Sequence, residues 1–401
     1  MANRNLSAAK KAKQDEYYTQ MNDIQAEINA YLDFDENTFR GKTVLLPCDD
    51  PEWSNFTLFF AQNFERLGLK KLISTSYAPE AKTAKYGSLF EYAASQSDAT
   101  PKNERGKIFI LDHDVNRNGR IDFEDLEWEY LKGDGDFRST EVCRLRDESD
   151  IIVTNPPFSM FREFLAWIVG GGLATRSTKI TKRFLIIGNI NAITYKEVFP
   201  LIMGNGLWLG NGFSHGNAYF RIVEGYRNEY ADGVYDPVTN LVKFRNVAWF
   251  TNLEHGRRHQ PLQLMTMAQN IKHSKHKDVR GIGYRKYDNY DAIEVPFTDA
   301  IPSDYNGVMG VPISFLDKYC PEQFEILGAT QRGCHDAVPD TRKYDDYWEV
   351  KQDGTRTGSS GGKTNENGNL EMNDGKRNYF INADGRIIQS AYQRLFIRHR
   401  H

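Results

Sequence analysis

Asn155-Pro156-Pro157-Phe158 carries the residue types in this 401-residue chain that are best suited to chemistry. The run before it, Ile151, Ile152, Val153 and Thr154, is largely β-branched and reads as a buried strand. Neither proline has a backbone N–H to donate, so the strand stops and turns rigidly. A side-chain carbonyl, a backbone carbonyl and an aromatic ring therefore meet at the C-terminal end of a strand, where open α/β sheets place ligands.

The chemistry such a group suits is the activation of a planar amine. The lone pair of that amine is delocalised into its ring, so it is a poor nucleophile. Two acceptors aimed at its hydrogens draw the nitrogen toward tetrahedral geometry and stabilise the positive charge that develops during transfer. Asn155 offers its side-chain carbonyl and Pro156 its backbone carbonyl. Pro157 stiffens the turn, and Phe158 presents a π-face to an extruded base. What remains is alignment with an electrophilic methyl donor, mainly a matter of positioning. The competing reading is a plain strand-end turn with a buried Phe. The apolar run before it and the amphipathic Phe161, Phe164, Leu165, Ile168, Val169 pattern after it favour a site.

The elements around it alternate. A helix is expected over Met21–Tyr31 and a strand over Thr43–Pro47. Asp49-Asp50-Pro51 turns into a helix over Ser54–Leu67, with Phe56, Phe59, Phe60 and Phe64 at helical spacing and Gly68 at its end. Strands follow at Lys71–Thr75, Lys107–Leu111 and Phe184–Gly188, then a helix near 195–202 and strands near 207–209 and 247–250. Strand, helix, strand in this order signals a parallel sheet. Past about residue 255 the alternation is lost and Tyr, Asp, Pro and Gly dominate. Two regions are expected: a catalytic domain over 1–254 with an acidic insertion at about 112–136, and a second region over 255–401. Residues 352–376, rich in Gly, Ser, Asn and Thr, read as a flexible loop or hairpin insertion.

Composition narrows little else. Hydrophobic residues make up 40% and charged residues 26%, as in ordinary globular proteins. A net charge of −3 neither favours nor excludes nucleic acid, so any binding face must be a local patch. No run of 18 apolar residues exists, so no membrane partner is expected. Met1–Lys13 is polar and basic, unlike a secretory signal. Cys48, Cys143, Cys320 and Cys334 lie far apart without CxxC spacing, which argues against a zinc site and fits a reducing cytoplasm. Nothing fixes an oligomeric state.

One motif is a decoy. Asp114, Asn116, Asn118, Asp122 and Asp125, with Gly119 between, match the oxygen spacing of a calcium-binding loop, and Leu126–Leu131 would form its exiting helix. The last position holds Asp in place of a bidentate Glu, and a strand precedes the loop. A self-closed Asx-rich turn without Ca2+ is therefore the expected form.

Several segments together with the tetrapeptide resemble one family. They are DEYYTQ at 15–20, CDDPEWSNF at 48–56, LGLKKLIST at 67–75, GDGDFRS at 133–139, VTNPPFSMFREF at 153–164, FLIIGNINAITYKEVFPLI at 184–202, AWFTNL at 248–253, and the stretch from KYDNYDAIEV to GVMGVPISFLDKY at 286–319. The chain is similar to the adenine-N6 DNA methyltransferases, and within them to the EcoRI-type modification methylases. The resemblance implies a class I fold, Rossmann-like with a mixed seven-stranded sheet, and S-adenosyl-L-methionine as cofactor. It implies methyl transfer to N6 of a flipped adenine in double-stranded DNA, with target recognition C-terminal.

It also implies cofactor contacts. Tyr17, Tyr18 and Thr19 stand where the methionine end is held, though Thr19 also reads as a cap for the next helix. Pro47, Cys48, Asp49, Asp50 and Pro51 stand where the family carries Gly-x-Gly, followed by the familiar Ser54-Asn55-Phe56. Ser74 and Thr75 stand where ribose contacts arise, without the customary carboxylate. Asp136, or Asp134 in its place, corresponds to the acceptor for the cofactor adenine, with Phe137 packing on that ring. Phosphate contacts are expected from Arg257, Arg258, Lys272, Lys275, Lys277, Arg280, Arg285 and Lys286, against the alternative of a solvated charged face. Competing functions are methylation of an RNA adenine or a protein glutamine, which also fits a four-residue motif of this kind, and a non-catalytic Ca2+-stabilised binding module.

Overall fold

The computed structural model describes residues 17–78, 105–114, 118, 121, 125, 127–170, 180–213, 217–222, 233–330, 338, 341–373 and 377–400. The chain divides into two compact units, residues 1–193 with 204–256, and residues 194–203 with 257–401.

In the first unit the strands are β1 (Tyr17–Thr19), β2 (Thr43–Leu46), β3 (Lys71–Thr75), β4 (Lys107–Leu111), β5 (Trp128–Tyr130), β6 (Ile151–Thr154), β7 (Arg183–Asn189), β8 (Trp208–Leu209), β9 (Ala218–Ile222), β10 (Tyr235–Asp236), β11 (Leu241–Phe244) and β12 (Val247–Thr251). The helices are α1 (Met21–Leu32), α2 (Asn55–Gln62), α3 (Phe64–Leu67), α4 (Thr140–Glu148) and α5 (Phe161–Ile168). The expected Ser54–Leu67 helix is thus two helices, α3 closing on Gly68 in the left-handed region at φ +62°.

The main sheet runs β5-β4-β3-β2-β6-β7-β12-β8, eight strands where seven were expected. Its centre, β3-β2-β6-β7, is parallel, and both flanks are antiparallel. The edge strand β5 lies inside the acidic segment, at Trp128–Tyr130, where an exiting helix was expected. Its β-branch-poor sequence pairs with β4 and covers that edge with Trp128 and Tyr130, whose rings meet edge to face at 5.2 Å.

Side chains alternate across these strands. Val44, Leu46, Leu72, Val153, Leu185 and Ile187 join Ile24, Ile28, Phe56 and Phe60 in one core, so α1 and α2 cover that face. Phe250, of opposite parity to Trp249 in that core, packs on Phe161 of α5 at 4.9 Å, so α5 covers the other face. Gly188 permits this approach. A Cβ there would lie 2.2 Å from the Phe161 ring. A second sheet, β1-β9-β11-β10, is wholly antiparallel.

Two adjacent parallel strands, β2 and β6, deliver the two key loops. From β2 the chain runs to β3 on one side, and β6 lies on the other. That is a topological switch point, where loops at the carboxyl ends diverge and leave a crevice.

The second unit is rich in strands. One five-stranded sheet includes Ala292–Glu294, Val308–Pro312, Phe324–Ala329 and Arg394–His399. Another takes Arg356–Ser360 and Asn369–Met372 from the segment read as a flexible loop. Polar residues tie distant segments together. Arg394 grips Glu294 from Nη2 at 2.6 Å and Nε at 3.0 Å, and Asp288 accepts from Arg386 at 2.6 Å and Tyr344 at 2.9 Å.

Candidate active site

The tetrapeptide leaves β6 as expected, with a single 3-10 turn at Phe158–Met160 leading into α5. The Pro157 carbonyl accepts from the Met160 amide at 2.9 Å and closes that turn. The Asn155 amide nitrogen donates to the Tyr17 carbonyl at 2.7 Å. A carbonyl accepts only, so this bond fixes which end of the amide is nitrogen. The other end, Oδ1, is buried and accepts no hydrogen bond. An unsatisfied buried acceptor is costly on its own.

Phe158 is half-buried in an aromatic group. Its ring centroid lies 6.1 Å from each of Tyr17, Phe220 and Phe244. Phe220 and Phe244 come from β9 and β11, so the antiparallel sheet buttresses the tetrapeptide.

Tyr17, Tyr18 and Thr19 form β1, paired with β9. Gln20, not Thr19, occupies the cap position of α1. Thr19 is buried, its Oγ1 makes no hydrogen bond, and its carbonyl accepts from Asn55 Nδ2 at 2.7 Å. Two carbonyls of one short strand thus hold two asparagines, one just past β6 and one at the start of α2.

The turn after β2 lacks glycines and is built on side-chain bonds. Asp49 is buried. Its Oδ1 accepts from Ser54 Oγ at 2.7 Å and its Oδ2 from Thr154 Oγ1 at 2.5 Å. Burial pushes its pKa up to about 7, against the lowering effect of the two hydroxyls. Ser74 Oγ donates to the Asp49 carbonyl at 2.6 Å, and Thr75 Oγ1 to the Pro47 carbonyl at 3.2 Å. Both hydroxyls, expected as ribose contacts, are fully buried and consumed in bracing the turn. Phe56 is likewise core, 5.9 Å from Trp249. Cys48 and Asp50 are half-buried, and Asp50 forms an ion pair with Lys107 at 3.5 Å. Lys107 also pairs with Glu52 and sits 4.8 Å over the Trp128 ring.

Around 133–137 the expectations divide. Asp136 takes Arg138 Nη2 at 2.7 Å and Nε at 2.9 Å, so its carboxylate is already occupied. Asp134 Oδ1 accepts the Asp136 amide at 3.0 Å. Phe137 is buried against Phe164 and Trp167, at 5.1 and 5.6 Å, as part of the core.

Reading residue types missed Thr154, Lys107, Phe220 and Phe244. Thr154 directly precedes the tetrapeptide and could have been flagged; the others come from segments with no motif. Within the calcium-like loop, Asn116 and Asp122 lie outside the described residues. Asp114 Oδ1 accepts the Asn118 amide, four residues on, at 3.2 Å, and Asp125 is buried. Among the described residues no cluster of acidic, His or Cys side chains is placed to hold a metal.

An open acceptor at one strand end, beside a braced turn at the end of the neighbouring strand, fits an enzyme that acts on planar amines. Comparison with known proteins narrows it further: residues 5–400 match the family described as adenine-specific methyltransferase EcoRI, and the chain belongs to that family. It is a site-specific adenine DNA methyltransferase that uses S-adenosyl-L-methionine. It is 42% identical over 332 residues to the type II methyltransferase M.EcoRI of Escherichia coli, covering 81% of this chain and 89% of that one. It is 34% identical to the type II methyltransferase M.MpnI of Mycoplasma pneumoniae, covering 80% and 84%. No solved structure matches it.

Proposed function

We propose that Asn155 Oδ1 and the Pro156 carbonyl accept the two N6 hydrogens of a flipped adenine, and that Phe158 stacks on its ring. The open Asn155 Oδ1, oriented by the bond to Tyr17, is the observation that supports this most. In that position it meets the amine as positive charge develops, without reorganising. Pro157 holds the turn.

The crevice residues suit the cofactor. Thr19 Oγ1 is an unsatisfied buried hydroxyl beside the Asn55 bond, fit to meet the polar methionine end. Asn55 donates to the Thr19 carbonyl, Tyr17, Tyr18, Cys48 and Asp50 are assigned to the same end, and Asp134 or Asp136 to the adenine end. S-adenosyl-L-methionine supplies an electrophilic methyl group on a positively charged sulfur. The chain holds the amine in line with it and excludes water.

The first unit, with its four central parallel strands and switch point, suits the class I Rossmann-like architecture, extended by β5. The second unit is assigned to target recognition. Among the expected phosphate contacts, Arg257 pairs with Asp317 at 2.6 Å, Lys275 with Asp299 at 2.7 Å and Lys286 with Asp291 at 2.7 Å. Arg258 is buried, and Arg285 bonds to the Glu371 carbonyl. Lys272, Lys277 and Arg280 are exposed without an ion-pair partner among the described residues, and they are the better phosphate contacts. The reading places the enzyme in the cytoplasm with its DNA; among the described residues no helix is long and apolar enough to cross a membrane.

Tritiated methyl transfer offered in parallel to duplex DNA, structured RNA and a glutamine peptide tests the substrate class. Label is expected in DNA alone. Faster labelling of RNA or peptide would reverse the reading.

A further inference from the structure

Asp49 is a buried carboxylate that the methyl-transfer chemistry does not use. It lies on the turn after β2, in the segment assigned to the cofactor, yet neither oxygen is offered to a ligand. Oδ1 takes the hydroxyl of Ser54, the residue that caps α2 through its bond to the Phe56 amide at 3.1 Å. Oδ2 takes the hydroxyl of Thr154, the last residue of β6 and the one before Asn155. The backbone of Asp49 is pinned as well, its amide to the Thr75 carbonyl at 3.0 Å and its carbonyl to Ser74 Oγ. Ser74 Oγ in turn meets Thr57 Oγ1 at 2.7 Å, on α2.

We infer that Asp49 is a positioning residue that sets the catalytic tetrapeptide against the donor turn, one carboxylate oxygen serving each side. This rests on the assignment of Asn155 as the group that holds the target amine. The turn has no glycines to bring the backbone close, so its shape must come from side chains. A buried carboxyl group with one hydroxyl held on each oxygen is a rigid link between the two elements that supply those hydroxyls. Misplacing Asn155 by a fraction of an ångström affects the transfer step, whereas loosening α2 affects donor binding.

The two sides therefore separate kinetically. Thr154→Val keeps the shape of the side chain and removes its donor. It is expected to lower kcat about ten- to a hundredfold, with KM for S-adenosyl-L-methionine within about twofold. Thr154→Ser restores the hydroxyl and is expected to recover most of kcat. Ser54→Ala is expected to raise the donor KM more than it lowers kcat. In a double-mutant cycle, Asp49→Asn is expected to cost far less kcat when Thr154 is already Val.

The inference is overturned if Thr154→Val keeps kcat within about twofold, or if the Asp49 and Thr154 effects on kcat simply add. A Thr154→Val protein that does not fold hands the decision to Asp49→Asn. Folded and with unaltered kcat, that variant overturns the inference; with kcat lowered and restored by no change at Ser54, it supports it. Asn155→Ala runs alongside. Retained methylation there removes the assignment of Asn155, whereas a dead Asn155→Ala beside an unaffected Thr154→Val removes only the role of Asp49.

Discussion

Asn155 donates its amide nitrogen to the backbone carbonyl of Tyr17 at 2.7 Å, across 138 positions of sequence. That single bond turns a rotatable amide into a fixed acceptor. It also explains why a three-residue strand at the start of the described chain matters. Tyr17 and Thr19 are two apart on β1, so their carbonyls face the same edge, and one binds Asn155 after β6 while the other binds Asn55 at the start of α2.

Phe158 is expected to act on the acceptor side alone. Phe158→Ala should weaken binding of duplexes that carry an extrahelical or mismatched target base by about 1–3 kcal/mol, the usual worth of base–aromatic stacking. Titration calorimetry with S-adenosyl-L-methionine should show donor affinity within a few-fold of the parent. Equal losses on both sides would mean that the ring merely holds the aromatic group of Tyr17, Phe220 and Phe244 together.

Asp49 makes a pH prediction. Its pKa is raised by burial from 3.8 to about 7, so the folded state resists ionisation that the unfolded chain accepts. Its contribution to stability is fully present below pH 4 and is lost as pH rises through 7. Asp49→Asn removes that dependence. The stability of the variant relative to the parent should therefore climb between pH 4 and 7 and level off above 8, by a few kcal/mol at most, on the scale of about 1.4 kcal/mol per unit. Denaturant melts across that range provide the test, and a flat difference would show that Asp49 titrates normally.

Arg394 and Glu294 bridge 100 positions inside the second unit, with side chains 11% and 9% exposed. Tyr287 adds its hydroxyl to the same carboxylate. Arg394→Met leaves that carboxylate buried without its cation and should cost about 3–5 kcal/mol. Thermal melts of the full chain should show the loss, and a shift of less than a degree would mean that water or a rearrangement replaces the guanidinium.

Lys272, Lys277 and Arg280 together supply a salt-dependence test. Changing all three to Gln should weaken binding to any duplex alike. It should also flatten the plot of log affinity against log salt by about 2–3 units of slope, near 0.9 for each phosphate no longer neutralised. An unchanged slope would place the DNA elsewhere. Arg257→Gln, by contrast, should change the slope little, because Asp317 already neutralises it.

Local pattern revealed the parallel centre of the main sheet. Strands Thr43–Leu46, Lys71–Thr75 and the one ending at Thr154 are short apolar runs with clear stops, and periodicity reports these directly. The tetrapeptide was legible for the same reason: two prolines after a β-branched run admit few alternatives. What stayed hidden depends on distant partners. Tyr17–Thr19 is a strand only because β9, some 200 positions on, pairs with it. Trp128–Tyr130 extends along β4 against its local setting among acidic and glycine residues. The pairing of Arg257 and Lys275 was not legible because Asp317 and Asp299 lie outside the basic stretch that they neutralise. Ser74 and Thr75 were placed by analogy, yet the missing glycines make them braces for the turn.

The central claim is that Asn155 Oδ1 holds the target amine for transfer. The direct test is single-turnover methylation of a duplex substrate by the parent and by Asn155→Ala, each preloaded with labelled S-adenosyl-L-methionine, with the nucleosides separated after digestion. The parent should yield N6-methyladenine. Asn155→Ala should bind the donor normally and transfer about a hundred- to a thousandfold more slowly, as when one preorganised polar group is removed from a transition-state site. N6-methyladenine formed at the parent rate by Asn155→Ala would contradict the account.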